Sequence, residues 1–150
     1  MKLVTYRRGV ESRARVGVIV DDLCVDVARL GAACGEEMPD TMLGLIDAGR
    51  PGLGTLRACL DEVGADLPVG CATALANVTL LAPIPRPRKN IFGIGLNYLD
   101  HVTESAQALD TSADLPRQPV IFSKPPTAVI GPGEPIPHDA EITQQLDWEV

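Results

Sequence analysis

Short apolar runs separated by polar turns fill the first thirty residues. The segments MKLVTYRR, ARVGVIVDD and LCVDVARL each have the length and the residue types of a β-strand. Gly9 and the pair Asp21–Asp22 lie between them and are typical turn residues. This spacing predicts a meandering sheet of hairpins.

The apolar spacing becomes helical after residue 40. One helix is predicted across TMLGLIDAG, whose apolar residues share a face and whose Gly49 ends it. A second is predicted across LGTLRACLDEVG, which ends at Gly64. The small, polar LGAACGEEM before them could form a helical turn. We expect both helices to cover the sheet.

A proline-rich, basic segment divides the chain. VTLLAPIPRPRKN begins as a strand and continues as alternating prolines flanked by Arg and Lys, a composition typical of a stiff linker. We therefore predict an N-terminal domain over residues 1–78, a linker over 79–90 and the start of a second domain over 91–150.

The second half contains fewer but clearer elements. NIFGIGLN is predicted to be a buried strand, YLDHVTESAQAL a short helix and QPVIFSKPP a second strand. GPGEPIP is typical of a turn, and LDWEV would open another strand.

Composition restricts the class of protein. The 150 residues are 45% hydrophobic and 22% charged, as in ordinary globular domains, and aromatic residues make up only 3%. We therefore expect a core of Val, Leu, Ile and Ala. The net charge of -7 argues against nucleic-acid binding, because phosphates would be repelled. Any anionic substrate would need a local cation.

Four cysteines occur without a CxxC pair or zinc-like spacing, which favours reduced, mostly buried thiols in a cytosolic protein. The first residues turn polar before an apolar signal segment develops, so we expect a cytoplasmic location. The uncharged stretch 67–85 is broken by prolines and glycine, and we interpret it as a buried strand with loops, with no membrane association.

A histidine and a glutamate three residues apart form the first candidate site. In GLNYLDHVTE, Asn97 could cap the start of a helix, and Asp100, three residues later, could complete a weak form of the capping box. His101 and Glu104 would then lie on one face of that helix. A carboxylate beside an imidazole fixes its tautomer, so the other nitrogen can take a proton from water. The alternative is an exposed His–Glu pair on a solvated helix face.

Charged residues in two strands are further candidates. Lys124 in FSKPP could protect an exposed strand edge from pairing with another chain, or it could direct its ammonium into a pocket for an anion. Asp147 and Glu149 would share one strand face and form a hard-oxygen site suited to Mg²⁺. Their alternative is a solvated polar face opposite a buried Trp148.

Two further features carry little functional signal. Gly93 and Gly95 form a GxG, but Tyr98 occupies the third glycine position of a dinucleotide fingerprint. We expect these glycines to let a neighbour approach the backbone. His138 shows no zinc-motif spacing with His101.

Three ordered motifs together resemble the fumarylacetoacetate hydrolase family in its short bacterial form: GIGLNYLDHVTES, FSKPPTAVIGPGEPIP and LDWEV. The resemblance implies an α+β protein, with a small N-terminal α+β domain before the start of a mixed β-roll. It also implies a homodimer that binds Mg²⁺ or Mn²⁺ through an ExE pattern and a later aspartate. Glu149 matches the first glutamate of that pattern. The second would be residue 151, so we expect this chain to be a segment of a longer one.

The resemblance also implies an activity. His101 and Glu104 match the family's water-activating dyad, with Lys124 and Asn97 as substrate-binding residues and Glu149 as a metal ligand. The expected enzyme is a magnesium-dependent hydrolase that cleaves a C–C bond in 2,4-diketo acids or acylpyruvates and releases a pyruvate-type enolate. Its substrate would be a small anionic 2-oxo or 2,4-diketo acid. The alternatives are a 2-oxo acid decarboxylase or isomerase of the same family, or a non-catalytic assembly domain.

Overall fold

The structure, a computed structural model, describes residues 1–9, 13–109, 114–144 and 146. The chain divides into two compact units, one comprising residues 1–85 and 130–150 and the other residues 86–129. Within the described residues, no helix has both the length and the apolarity needed to cross a membrane.

The first unit is built on a five-stranded antiparallel sheet with the order β4-β3-β2-β1-β5. Its strands are β1 (Lys2–Arg8), β2 (Arg15–Val20), β3 (Leu23–Asp26), β4 (Ala72–Ala74) and β5 (Val78–Leu81). Val18 at the centre pairs with Leu3 on one side and Val25 on the other. The predicted meander of the first three strands is confirmed.

The prediction that LCVDVARL is one strand is wrong in its second half. The strand ends at Asp26, whose side chain accepts a hydrogen bond from the backbone N–H of Arg29 and caps helix α1 (Val27–Ala33). An aspartate at this position favours helix initiation over continued pairing. The helix therefore begins within the predicted strand, earlier than the helical turn expected in LGAACGEEM.

Helix α2 (Met42–Val63) contains both predicted helices, one after the other along the chain. Its first N–H groups are capped by the Thr41 hydroxyl, which accepts from the N–H of Gly44 at 3.1 Å. Gly49 has a φ of 59° inside this span and breaks it into two segments. Gly64 follows the last turn with a φ of 54°. The predicted stops at both glycines are confirmed.

The core of the first unit lies between the sheet and these helices. It consists mainly of valine, leucine, methionine and cysteine, namely Val16, Val18, Val25, Val27, Leu30, Met38, Met42, Leu45, Leu56, Cys59 and Cys71. All four cysteines are free thiols; three are buried and Cys34 is half-buried. Burial raises the pKa of the Cys24 and Cys59 thiols to about 11, so both remain protonated at neutral pH.

A buried polar network that the sequence did not indicate joins three strands and helix α1 of this unit. Asp26 is fully buried. Its carboxylate accepts a 2.7 Å hydrogen bond from the Tyr6 hydroxyl and forms an ion pair with the Arg15 guanidinium. Burial alone raises the pKa of Asp26, but hydrogen bonds from Arg15, Tyr6 and the Arg29 N–H outweigh it and lower this pKa to about 2. The carboxylate is therefore a charged structural anchor.

The second unit contains an antiparallel pair of strands and one helix: β6 (Ile91–Gly95), α3 (Leu99–Leu109) and β7 (Val120–Lys124). The strands and the helix were predicted, but the expected burial of β6 is wrong. Phe92 is 68% exposed and Ile94 50% exposed, because β6 and β7 form a sheet of only two strands in the described part of the chain. Besides the strands and helices of the two units, the described residues contain two short 3₁₀ turns, Leu75–Asn77 in the first unit and Pro126–Ala128 in the second.

The α+β class is confirmed, because a meandering sheet and separate helices make up the described chain. Strand β5 pairs with β1, so residues 79–81 of the predicted linker end a strand of the first unit's sheet. The division into 1–78, 79–90 and 91–150 stays a prediction. The strand expected in LDWEV lies outside the described residues, apart from Leu146.

Candidate active site

A sharp bend after β6 sets the start of the helix that carries the candidate base. Leu96 has a φ of 50°, an uncommon conformation for a residue with a side chain, and it turns the chain between Gly95 and α3. The first hydrogen bond of α3 runs from the N–H of Val102 to the carbonyl of Tyr98 at 3.2 Å. Tyr98 therefore occupies the cap position.

The prediction that Asn97 caps this helix is wrong by one residue. Asn97 precedes the cap position, is exposed, and forms no side-chain hydrogen bond with the described residues. Asp100 does lie in the first turn, where a negative charge interacts favourably with the helix dipole. A substrate-binding role for Asn97 stays a prediction.

His101 lies at the boundary between the buried and exposed faces of α3. Val102 and Ala106, four residues apart, are 2% and 8% exposed and mark the buried face. His101 is half-buried beside them, and Glu104 is exposed. An imidazole at such a boundary is held by packing and still reaches solvent, which a proton-transfer group requires.

The observed neighbour of the His101 ring is Tyr98. Their ring centroids are 5.2 Å apart and the ring planes are tilted by 45°. Within the described residues, no hydrogen bond or ion pair joins His101 to Glu104, although both lie on α3 three residues apart. The structure thus places the predicted pair on one helix, with no hydrogen bond or ion pair between the two side chains.

Lys124 has an aromatic neighbour of its own. Side chains two apart on a strand share a face, and the Lys124 ammonium lies 5.8 Å from the centre of the Phe122 ring. That ring lies over Gly93 on the paired strand, where an added Cβ would be 2.4 Å from its Cζ. The expected role of Gly93, close approach of a neighbour, is confirmed. Lys124 itself is exposed, and its role in binding an anion stays a prediction.

A metal site is not assembled by the described residues. Glu149, the predicted metal ligand, and Asp147 lie outside them. Among the residues that the structure does describe, no group of three or more His, Cys, Asp or Glu side chains could hold a metal ion. His138 lacks zinc-motif spacing in the sequence. In the structure, its Nε2 atom lies 2.8 Å from the carbonyl oxygen of Thr143.

Two aromatic residues beside the candidate groups, Tyr98 and Phe122, were not predicted from the sequence. Each signal was present in the spacing: Tyr98 lies three residues before His101 at a helix start, and Phe122 lies two residues before Lys124 on a strand. Each aromatic ring lies beside a candidate polar group.

Comparison with known proteins identifies relatives of this site region. Residues 90–150 match the family model described as fumarylacetoacetate (FAA) hydrolase C-terminal. The oxaloacetate tautomerase YisK of Bacillus subtilis (strain 168) is 42% identical over 89 residues, which cover 59% of this chain and 27% of that protein. A mitochondrial oxaloacetate tautomerase of Xenopus laevis, fahd2, is 30% identical over 151 residues, which cover 99% of this chain and 42% of that protein.

A solved structure shows the same architecture. A fumarylacetoacetate hydrolase from the psychrophilic Exiguobacterium antarcticum aligns with a TM-score of 0.50 and 28% identity, over 96% of this chain and 43% of that one. The likeness extends over both compact units. This chain spans less than half the length of each of these three proteins.

Proposed function

The chain belongs to the fumarylacetoacetate hydrolase family, and on this premise we propose that it carries the proton-transfer segment of an enzyme that acts on small 2-oxo acids through an enolate. The observation that carries the proposal is His101, half-buried on α3 and in contact with an aromatic ring. Imidazole is the side chain that most often performs general acid–base catalysis.

Keto–enol tautomerisation is the first candidate reaction. In the enol-to-keto direction, His101 accepts the proton of the enol hydroxyl, the electron pair of the C2–C3 double bond takes up a proton from solvent water at C3, and His101 returns its proton to solvent. In the reverse direction the C3 proton is lost to solvent, and the enolate oxygen takes a proton from protonated His101 to give the enol. The named activity of the Bacillus and Xenopus relatives, oxaloacetate tautomerase, favours this candidate.

Hydrolysis of a C–C bond is the second candidate, favoured by the name of the Exiguobacterium relative. His101 would take a proton from a water that attacks the distal carbonyl of a 2,4-diketo acid or acylpyruvate. The bond between that carbonyl carbon and C3 then breaks, and its electron pair remains on the pyruvate-type enolate. Both reactions require the same base beside a small anionic 2-oxo acid.

Lys124 and Asn97 are proposed to bind this substrate. A small carboxylate needs a cation here, because the chain carries a net charge of -7. The ammonium of Lys124, which lies over the Phe122 ring, suits that role. Glu104, one helical turn after His101, is proposed to orient the imidazole through its second nitrogen.

The proposal includes Mg²⁺ or Mn²⁺, with Glu149 as the candidate ligand in this chain. Such an ion supplies a Lewis acid that stabilises negative charge on substrate oxygens. A homodimer and a cytoplasmic location, which the resemblance and the composition favour, also belong to the proposal.

The two candidate reactions can be separated on the full-length natural protein that contains these residues. Enol–keto conversion of oxaloacetate is followed by the loss of enol absorbance, and acylpyruvate cleavage by the release of pyruvate, each against heat-denatured protein. We expect at least one rate above that background. Lys124→Met should raise KM, whereas Lys89→Met, an exposed lysine outside the site, should not. Background rates for both reactions, across a panel of 2-oxo acids, would contradict the proposal.

A further inference from the structure

We propose that Tyr98 is a positioning residue for His101, and this inference rests on the function proposed above. The centroid separation of 5.2 Å lies within the range of favourable aromatic pairs, and the 45° tilt is intermediate between stacked and perpendicular arrangements. The contact restricts the rotation of the imidazole about its side-chain bonds.

The direction of helical side chains explains why Tyr98 is the partner. In an α-helix, long side chains point back toward the N-terminus and cover the preceding turn. The His101 ring therefore leans over Tyr98, one turn before it.

The backbone beneath the Tyr98 ring is itself fixed. Its carbonyl accepts the first hydrogen bond of α3 from Val102, whose side chain is buried. The bend at Leu96, with its positive φ, sets the direction in which the chain enters the helix. The backbone of Tyr98 thus belongs to the hydrogen-bonded start of α3, although the residue is 58% exposed.

A ring contact suits a catalytic base better than a second hydrogen bond alone would. It limits the orientation of the imidazole without occupying the hydrogen-bonding capacity of either nitrogen, so one nitrogen can face substrate and the other can face Glu104 or water. Loss of orientation by about 1 Å can cost roughly a hundredfold in rate. The positioning effect should therefore appear in kcat and leave KM nearly unchanged.

Two measurements on the full-length natural protein test this inference. The first is the NMR chemical shift of the His101 ring protons, assigned by their loss in His101→Ala, with His138 as an internal reference. Tyr98→Ala should shift these signals toward those of an unstacked histidine, because the ring current of the tyrosine is removed. Tyr98→Phe, which keeps the ring, should leave them close to wild type. Leu99→Ala, which removes the neighbouring exposed side chain, is the matched control and should also leave them unchanged.

The second measurement is kinetic. Tyr98→Ala should lower kcat by roughly tenfold to a hundredfold with little change in KM, and Tyr98→Phe should restore most of the rate. Unchanged shifts in Tyr98→Ala would overturn the contact, and an unchanged kcat alongside an inactive His101→Ala would overturn the positioning role. A fully active His101→Ala would instead refute the proposed function, and with it the reason for positioning, even where the shifts still report the contact.

Discussion

Asp26 is the residue on which the fold of the first unit depends most. Asp26→Ala would leave the Tyr6 hydroxyl and the Arg15 guanidinium without their buried acceptor and would remove the cap of α1. Loss of one partner from a buried ion pair costs roughly 3–5 kcal/mol. We expect urea unfolding to show a loss of this size.

The matched control is Asp40→Ala. Asp40 pairs with Arg13, whose side chain is 67% exposed, and exposed pairs contribute at most about 1 kcal/mol. Equal losses of unfolding free energy in the two variants would contradict the structural role assigned to the buried network.

The lowered pKa of Asp26 predicts a dependence of stability on pH. Its folded-state pKa of about 2 is below the ordinary value of 3.8, so the charged carboxylate favours the folded state. This contribution, roughly 2 kcal/mol, is complete above about pH 4 and is lost as the pH falls toward 2. The measurement is the difference in unfolding free energy between wild type and Asp26→Asn, which cancels the other carboxylates. A difference that stays constant across this pH range would refute the prediction.

The predicted metal site depends on Glu149. Glu149→Gln in the full-length protein should weaken Mn²⁺ binding while the circular dichroism spectrum stays unchanged, because an amide is a poorer ligand for a hard cation than a carboxylate. Calorimetric titration with Mn²⁺ measures this directly. Glu141→Gln, an exposed acid of the same type, is the control. Equal Mn²⁺ affinity in all three proteins would remove Glu149 from the site.

At the scale of elements, the break in α2 offers a paired test. Gly49 has a positive φ, so Gly49→Ala should destabilise the first unit by about 1–2 kcal/mol through backbone strain alone. Gly54 lies in the same helix, and an added Cβ there meets nothing within 4 Å. Gly54→Ala should therefore stabilise by roughly 0.5–1 kcal/mol. Thermal unfolding measures both, and changes of the same sign would contradict the break at Gly49.

Element type was mostly predictable from the sequence, and the errors have physical causes. Short apolar runs bounded by turn residues predicted β1 and β2, and glycine stops predicted the two parts of α2. The third strand was extended too far because Asp26 can end a strand, cap a helix or remain in a turn, and its buried partners decide among these. The cap of α3 was misplaced because Asn97 is a better cap by residue type than Tyr98.

The candidate site was predictable only as a set of positions. Spacing placed His101 and Glu104 on one helix and Lys124 on a strand, and the structure has them there. Which neighbour the imidazole contacts depends on its rotamer, and spacing does not determine that. The Tyr98 contact therefore became visible only in three dimensions.

For the whole molecule, the relevant fact is that this chain spans 42% of the Xenopus relative while nearly all of it aligns. The activity that we propose is accordingly an activity of the full-length protein. The candidate base and the candidate anion-binding lysine both lie in residues 86–129, whereas the candidate metal ligand lies near residue 150. Both of the reactions that we propose depend on His101.

The kcat of His101→Ala in the full-length protein tests this account most directly. It should be measured at saturating substrate and metal, in whichever of the two reactions proves active. We predict a loss of roughly 10²–10⁴, the usual contribution of a general base, and nearly unchanged metal affinity. His138→Ala, the same substitution at the other histidine, should retain wild-type kcat. A His101→Ala enzyme with the kcat of wild type would contradict the account and leave His101 as part of an ordinary helix surface.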